Sequence, residues 1–168
     1  MRAKSGFTLV EILIVVVILG ILAAIVIPQF TSASVEAKES ALVSNLQSMR
    51  SQIELYKIHH NDALPGTQGL VLFEEAMTSK TNQDGVVGEG PGYRFGPYMQ
   101  RIPDNPFCGT AGVENEVLTG ATRIPVGTVG SDLSGWWFVT SGVDAGLFQA
   151  NDDLSNELVD PVVPHTDY

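Results

Sequence analysis

One acidic side chain lies inside a long aliphatic segment. From Leu9 to Ile27 only Glu11 and Gly20 interrupt the run of aliphatic residues. A carboxylate at the centre of a membrane helix costs about 2.5 kcal/mol or more, so an acid in such a helix indicates a functional site. The alternative is that Glu11 lies one turn from the helix start and extends its carboxylate to the membrane interface. Residue types alone leave both interpretations open.

The other reactive side chains form no catalytic or metal-binding pattern. His59-His60 lies near a predicted helix end, without a third ligand at a recognisable spacing. Asp152-Asp153 would point to opposite faces of a strand. Cys108 is the only cysteine, so it cannot form an intramolecular disulfide. A free cysteine is more often a small buried apolar side chain than a nucleophile, and we expect the same of Cys108. The glycine-rich segment 85–90 lacks the Gly-Lys-Ser/Thr ending of a phosphate-binding loop. We therefore expect no enzyme activity and no required cofactor.

The charge of the chain excludes one class of partner. The formal net charge is −10, and residues 1–6 contain Arg2 and Lys4 but no acid. The remaining lysines and arginines are few and scattered, so no basic patch is predicted. An acidic surface repels phosphate backbones, and we therefore expect no nucleic-acid binding, including DNA capture.

The aliphatic run predicts a membrane-spanning helix. Phe7 to Ile27 would form a helix about 31 Å long, which is enough to cross the hydrocarbon core of a bilayer. Arg2 and Lys4 just before it predict a cytoplasmic N-terminus, with the polar bulk of the chain across the membrane. A cleaved secretory signal ending near Ala33 is the alternative, but its apolar region is usually only about 7–15 residues long.

The opening sequence resembles that of a known family. Gly6-Phe7-Thr8-Leu9-Val10-Glu11, after a short basic leader, is similar to the cleavage site of type IV prepilins and type II secretion pseudopilins. The resemblance implies that a prepilin peptidase cleaves after Gly6 and that Phe7 becomes an N-methylated N-terminus. It also implies that Glu11 pairs with the α-ammonium of Phe7 in a neighbouring subunit. Pro28 matches a family proline and predicts a kink in the helix.

After Pro28 the pattern changes to that of an amphipathic helix, which we expect to end near His60. Asn61-Asp62 and Pro65-Gly66 follow as stop and turn signals. The apolar residues recur at helical spacing, which predicts one face packed against a sheet. They are Val35, Leu42, Leu46, Met49, Ile53 and Tyr56.

The middle of the chain predicts a loop-rich connector over residues 61–112. A short helix is expected between Gly69 and Lys80, from Leu70, Phe73, Glu74 and Met77. Pro97, Pro103 and Pro106 exclude regular helix and predict an extended, packed connector. This stretch also resembles the Gly-Pro-Tyr and Pro-x-x-Pro connector of type II secretion major pseudopilins.

The segment 113–168 predicts an antiparallel sheet followed by an acidic tail. Alternation of apolar and polar residues, together with β-branched and aromatic side chains, indicates four strands. One of these strands contains both tryptophans, and we expect one tryptophan to pack on the long helix. The predicted strands are Glu116–Leu118, Arg123–Val126, Gly135–Thr140 and Gly146–Ala150. Asp144, Asp152, Asp153 and Asp160 are candidate Ca²⁺ ligands, since the resembling family has a calcium site in a C-terminal loop. A solvated acidic tail is the alternative.

Together these features predict an α+β, pilin-like fold in five segments. These are a leader (1–6), a transmembrane helix (7–28), an amphipathic helix (29–60), a connector (61–112), and a sheet with an acidic tail (113–168). The resemblance implies a structural subunit of a homo-oligomeric filament, most like a type II secretion pseudopilus. It also implies a single-pass inner-membrane location with a periplasmic head, and as partners a prepilin peptidase, an inner-membrane assembly platform and minor pseudopilins. A true type IV pilin, a minor pilin and a signal-anchored binding protein are the alternatives.

Overall fold

The computed structural model of the protein describes residues 8–122 and 134–151. It contains two helices, α1 (Leu9–His59) and α2 (Phe73–Thr78). Three short strands follow, β1 (Val117–Gly120), β2 (Trp136–Val139) and β3 (Phe148–Ala150). The chain divides into two units, Met1–Ala37 and Lys38–Tyr168.

The described part of the first unit is helical and apolar. Its large aliphatic side chains are exposed throughout, from Leu9 to Phe30. Among the described residues, α1 is the one helix long and apolar enough to cross a membrane, and none of its most apolar stretch is buried. The helix continues through Pro28, so the predicted kink stays a prediction. Past the proline, Ser32 Oγ donates a hydrogen bond to the Pro28 carbonyl at 3.1 Å.

In the second unit, one face of α1 is buried in the core, as its spacing predicts. Val35, which was predicted on the same face, lies in the first unit and is only half-buried. The helix ends at His59, and Asn61 and Asp62 then have positive φ angles of 53° and 64°, which turn the chain away. The buried residues of this face are Leu42, Leu46, Met49, Ile53 and Tyr56. Helix α2 lies within the range predicted for a short helix, but Leu70 lies before it and is fully exposed.

The sheet is mixed, which corrects the predicted antiparallel arrangement. β2 and β3 are antiparallel, with Phe138 opposite Phe148, whereas β1 runs parallel to β2, with Val117 opposite Trp136. Alternation of side chains reports which residues share a face but not the direction of the neighbouring strand. The segment between β1 and β2 is long enough for the chain to return to the starting end of β1, as a parallel pair requires. The predicted strand Arg123–Val126 lies outside the described residues.

The two tryptophans of β2 have different environments, as predicted. Trp136 is fully buried in the same core cluster as the α1 face, and its ring stacks on Phe148 at a centroid distance of 5.4 Å. Trp137 is half-buried, and its Nε1 donates to the Thr122 carbonyl at 2.9 Å. Arg50 of α1 fastens the last strand, because Nε and Nη2 donate to the Phe148 carbonyl at 3.2 and 3.0 Å.

The proline-rich connector is packed as its sequence predicts. Trp136 Nε1 donates to the Pro103 carbonyl at 2.7 Å, and Asn45 Nδ2 of α1 donates to the Asp104 carbonyl at 3.1 Å. Asn105, 1% exposed, donates from Nδ2 to the Gly135 carbonyl at 2.8 Å and accepts at Oδ1 from the Phe107 N–H at 2.9 Å. Side chains therefore hold the connector where prolines cannot donate backbone bonds.

Candidate functional site

The candidate site at the start of α1 is organised by a capping box. Thr8 precedes the helix, and its backbone N–H and its Oγ1 both donate to Glu11 Oε2 at 2.8 Å. The Glu11 backbone N–H donates in return to Thr8 Oγ1 at 3.2 Å. A threonine and a glutamate three residues apart form this reciprocal arrangement because each side chain reaches a backbone N–H that the first helical turn leaves unbonded.

The capping box leaves half of the carboxylate available. Thr8 occupies Oε2 of Glu11, whereas no group among residues 8–122 and 134–151 bonds Oε1. Both residues are exposed, and the helix they begin presents aliphatic side chains on every face. The Glu11 carboxylate is therefore a fixed anionic acceptor at the start of an apolar helix, and it is suited to bind a cation from outside the chain.

The sequence-predicted processing residues Gly6 and Phe7 lie outside the described residues. Glu11 lies in the first turn of α1, two residues after the helix begins at Leu9. Thr8 is the residue whose role the sequence analysis missed, although the signal was present. Its spacing to Glu11 is that of a capping box, immediately before an apolar run.

The weaker candidates remain separate from this site. Asp144 lies half-buried in the turn before β3, where its carbonyl accepts from the Leu147 N–H at 3.0 Å. Its proposed partners Asp152, Asp153 and Asp160 lie outside the described residues, so the calcium hypothesis stays a prediction. Cys108 is half-buried, with Sγ 3.7 Å from the Thr110 carbonyl oxygen.

Comparison with known proteins identifies a family motif in the N-terminal segment. Residues 1–27 match the family model described as the prokaryotic N-terminal methylation motif, a range that contains Gly6, Phe7 and Glu11. The second unit also has relatives, because the matches below extend far beyond this motif. No solved structure matches the chain significantly.

Several curated relatives are named type II secretion system core protein G. The protein of Vibrio cholerae is 35% identical over 135 residues, which are 79% of this chain and 84% of that protein. The protein of Aeromonas hydrophila is 33% identical over 106 residues, 63% of this chain and 69% of its own length. The protein of Klebsiella pneumoniae is 26% identical over 158 residues, 93% of this chain and 96% of its own length.

Proposed function

Because the chain belongs to the family of type II secretion system core protein G, we propose that it is a pseudopilin, which polymerises into the pseudopilus of a type II secretion system. The observation that carries this proposal is the half-free carboxylate of Glu11 at the start of an exposed apolar helix, within the methylation-motif match. The function is assembly and not bond chemistry.

The apolar part of α1 supplies the material of a filament core. Its side chains are exposed in the single subunit, so they need lipid or other helices around them. Exchanging lipid for a neighbouring helix gives little hydrophobic gain, since lipid tails are as apolar as leucine. Van der Waals packing then holds the bundle, and a polar pair is needed to fix its register.

Glu11 and the N-terminus of a neighbouring subunit form that pair. Cleavage after Gly6 creates an α-ammonium group on Phe7. In the described part of the chain only Glu11 Oε2 is bonded, by Thr8, so Oε1 can accept from this group. Charges that are desolvated together stabilise each other, whereas removing one partner from a buried pair costs about 3–5 kcal/mol. Pairing between Glu11 of one subunit and Phe7 of the next sets a stagger of about one helical turn.

The proposal extends to the membrane topology and to the partners of the subunit. Arg2 and Lys4 hold the leader on the cytoplasmic face, where a prepilin peptidase acts, and the second unit lies in the periplasm. An inner-membrane assembly platform and minor pseudopilins complete the machinery. The subunit remains a single-pass membrane protein until it is drawn into the filament.

The test combines processing and polymerisation in the full chain, expressed with and without a prepilin peptidase in cells that carry a type II secretion machinery. Intact mass should show a chain that begins at methylated Phe7 only when the peptidase is present. Glu11→Gln should be cleaved normally but should lose filaments at least tenfold in the sheared, sedimenting fraction. Glu36→Gln, another exposed acid of α1, is the matched control and should assemble like wild type.

Two outcomes contradict the proposal in distinguishable ways. An uncleaved Met1, or cleavage near Ala33, removes the basis for any filament role and restores the anchored or secreted protein. Normal cleavage with filaments in Glu11→Gln leaves the pseudopilin assignment standing and overturns the pairing role of Glu11.

A further inference from the structure

A buried histidine joins the end of α1 to the loop formed by residues 79–98, hereafter the 79–98 loop. His60 is 2% exposed and follows directly after the last residue of α1. Its Nδ1 lies 3.1 Å from the Gln83 carbonyl oxygen. Its Nε2 lies 3.1 Å from Thr81 Oγ1 and 3.1 Å from Tyr98 Oη. Both ring nitrogens are therefore bonded to the 79–98 loop.

The bonding pattern selects one neutral tautomer. A carbonyl oxygen can only accept, so Nδ1 carries the hydrogen and donates to Gln83. Nε2 then has one lone pair, which can accept from the hydroxyl group of Thr81 or of Tyr98. A second proton, on Nε2, would turn this acceptor into a donor and would require the donating hydroxyl group to reorient.

The 79–98 loop is organised around Thr81, which His60 contacts. The backbone of Thr81 exchanges two hydrogen bonds with Phe95, at 2.9 and 3.1 Å, and also forms a bridge to Val87. Phe95 itself packs edge-on against the His60 ring at a centroid distance of 5.3 Å. The histidine is thus attached to the residue at which two arms of the loop meet.

The surroundings of His60 offer little compensation for a positive charge. The titratable side chains that face it are Tyr56 and His59 from α1 and Tyr98 from the loop, and in the described part of the chain no carboxylate is among its bonding or ring partners. Burial raises the pKa of Tyr56 to about 12 and also raises the pKa of Tyr98, so both stay neutral below pH 8. His59 offers no compensation either, because its interaction with His60 also acts against a positive charge on the His60 ring.

We propose that His60 is a pH-sensitive latch, which holds the 79–98 loop on the end of α1 when neutral and releases it when protonated. The proposal does not depend on the filament role, because it concerns contacts within one subunit. It makes the loop surface of the second unit responsive to acid.

The direction of the effect follows from linkage. Burial holds the pKa of His60 below its ordinary value of 6.5; hydrogen bonds to the backbone of Gln83 and Asn82 oppose this shift, and His59 adds to it. The unfolded chain therefore binds more protons than the folded one once the pH falls below about 6.5. The contribution of His60 to stability is complete above that pH and decreases below it, until the folded protein is also protonated. In this window the unfolding constant rises by up to tenfold per pH unit.

The experiment uses the full chain in detergent micelles, as wild type, His60→Gln and the matched control His59→Gln. Urea unfolding followed by tryptophan fluorescence between pH 5 and 8 should show that the unfolding constant of wild type rises by up to about fivefold from pH 6.5 to 5.5. The rise should persist in His59→Gln and be absent from His60→Gln, because glutamine stays neutral. The imidazole of His60 should titrate by NMR with a midpoint below its ordinary value of 6.5.

A local measurement separates a latch from a general acid effect. Amide hydrogen exchange, corrected for its intrinsic pH dependence, should increase between pH 7.5 and 5.5 in residues 79–98 more than in the buried face of α1. If His60→Gln is destabilised at every pH, the local exchange of wild type and the NMR midpoint still decide the matter. An equal increase throughout the second unit, a midpoint at or above 6.5, or the same acid response in His60→Gln would overturn the latch.

Discussion

Asn105 tests whether the proline-rich connector is held by its side-chain hydrogen bonds. The substitution Asn105→Ala removes two bonds, the donation to the Gly135 carbonyl at 2.8 Å and the acceptance from Phe107 N–H at 2.9 Å. The backbone bond from the Asn105 N–H to the Glu114 carbonyl, at 2.9 Å, is kept. The perturbation is therefore confined to the side chain.

The expected loss follows from burial. A buried group that loses its partner costs about 1–3 kcal/mol. The Gly135 carbonyl keeps a second hydrogen-bond donor, the Asn151 N–H at 3.0 Å. The cost of leaving this carbonyl without Asn105 should therefore be about 1 kcal/mol, at the lower end of that range. Because Asn105 is only 1% exposed, water does not readily replace the lost side chain. We expect the free energy of unfolding of the second unit to fall by about 2–3 kcal/mol.

The assay is urea unfolding of the full chain in detergent, followed by the fluorescence of Trp136 and Trp137, which both lie in the second unit. Asn45→Ala is the matched control, because Asn45 also donates to the connector, but through an exposed bond of 3.1 Å to Asp104. That variant should lose less than about 1 kcal/mol. A loss below about 0.5 kcal/mol for Asn105→Ala, or an equal loss for both variants, would refute the reasoning.

Two further substitutions test close contacts elsewhere. In Gly120→Ala the added Cβ would overlap the Trp137 ring. We therefore expect the indole to move outward, lose its hydrogen bond to the Thr122 carbonyl and fluoresce at longer wavelength. An unchanged emission spectrum would show that the sheet accommodates the methyl group. In Thr8→Ala the capping bonds to Glu11 are lost, so amide exchange in the first turn of α1, measured by NMR in micelles, should rise about fivefold for a cap of about 1 kcal/mol. Thr8→Ser keeps the hydroxyl group and should exchange like wild type; equal rates in the alanine variant would contradict the capping role.

The elements with a strong period were predictable from the sequence. The buried face from Leu42 to Tyr56 and the end of α1 at His59 follow from helical spacing and the stop signals after it. The α+β architecture and the membrane-length apolar segment are confirmed for the same reason. These features depend on neighbours within a turn or two, which a single sequence displays directly.

Features that depend on distant partners were not predictable. The sequence indicates that β1 and β2 are strands but not that they run parallel, because direction is set by the path of the chain between them. The histidine pair looked like an ordinary helix end, yet His60 is buried by Thr81, Gln83 and Tyr98, more than 20 residues away. Thr8 differs from both, because its capping role depends on a local pattern. The three-residue spacing between Thr8 and Glu11 is visible in the sequence and was sufficient to predict the capping box.

The hydrogen bonds from Arg50 to the Phe148 carbonyl have a consequence for folding during translation of the chain. The helix is made first, whereas β3, which Arg50 fastens, is among the last of the described elements to be translated. Until that strand arrives, the apolar face of α1 beyond Lys38 cannot be fully covered, and uncovered apolar surface invites aggregation and proteolysis. A chain that stops before Phe148 would thus leave part of this face uncovered, and it would be prone to aggregation and proteolysis.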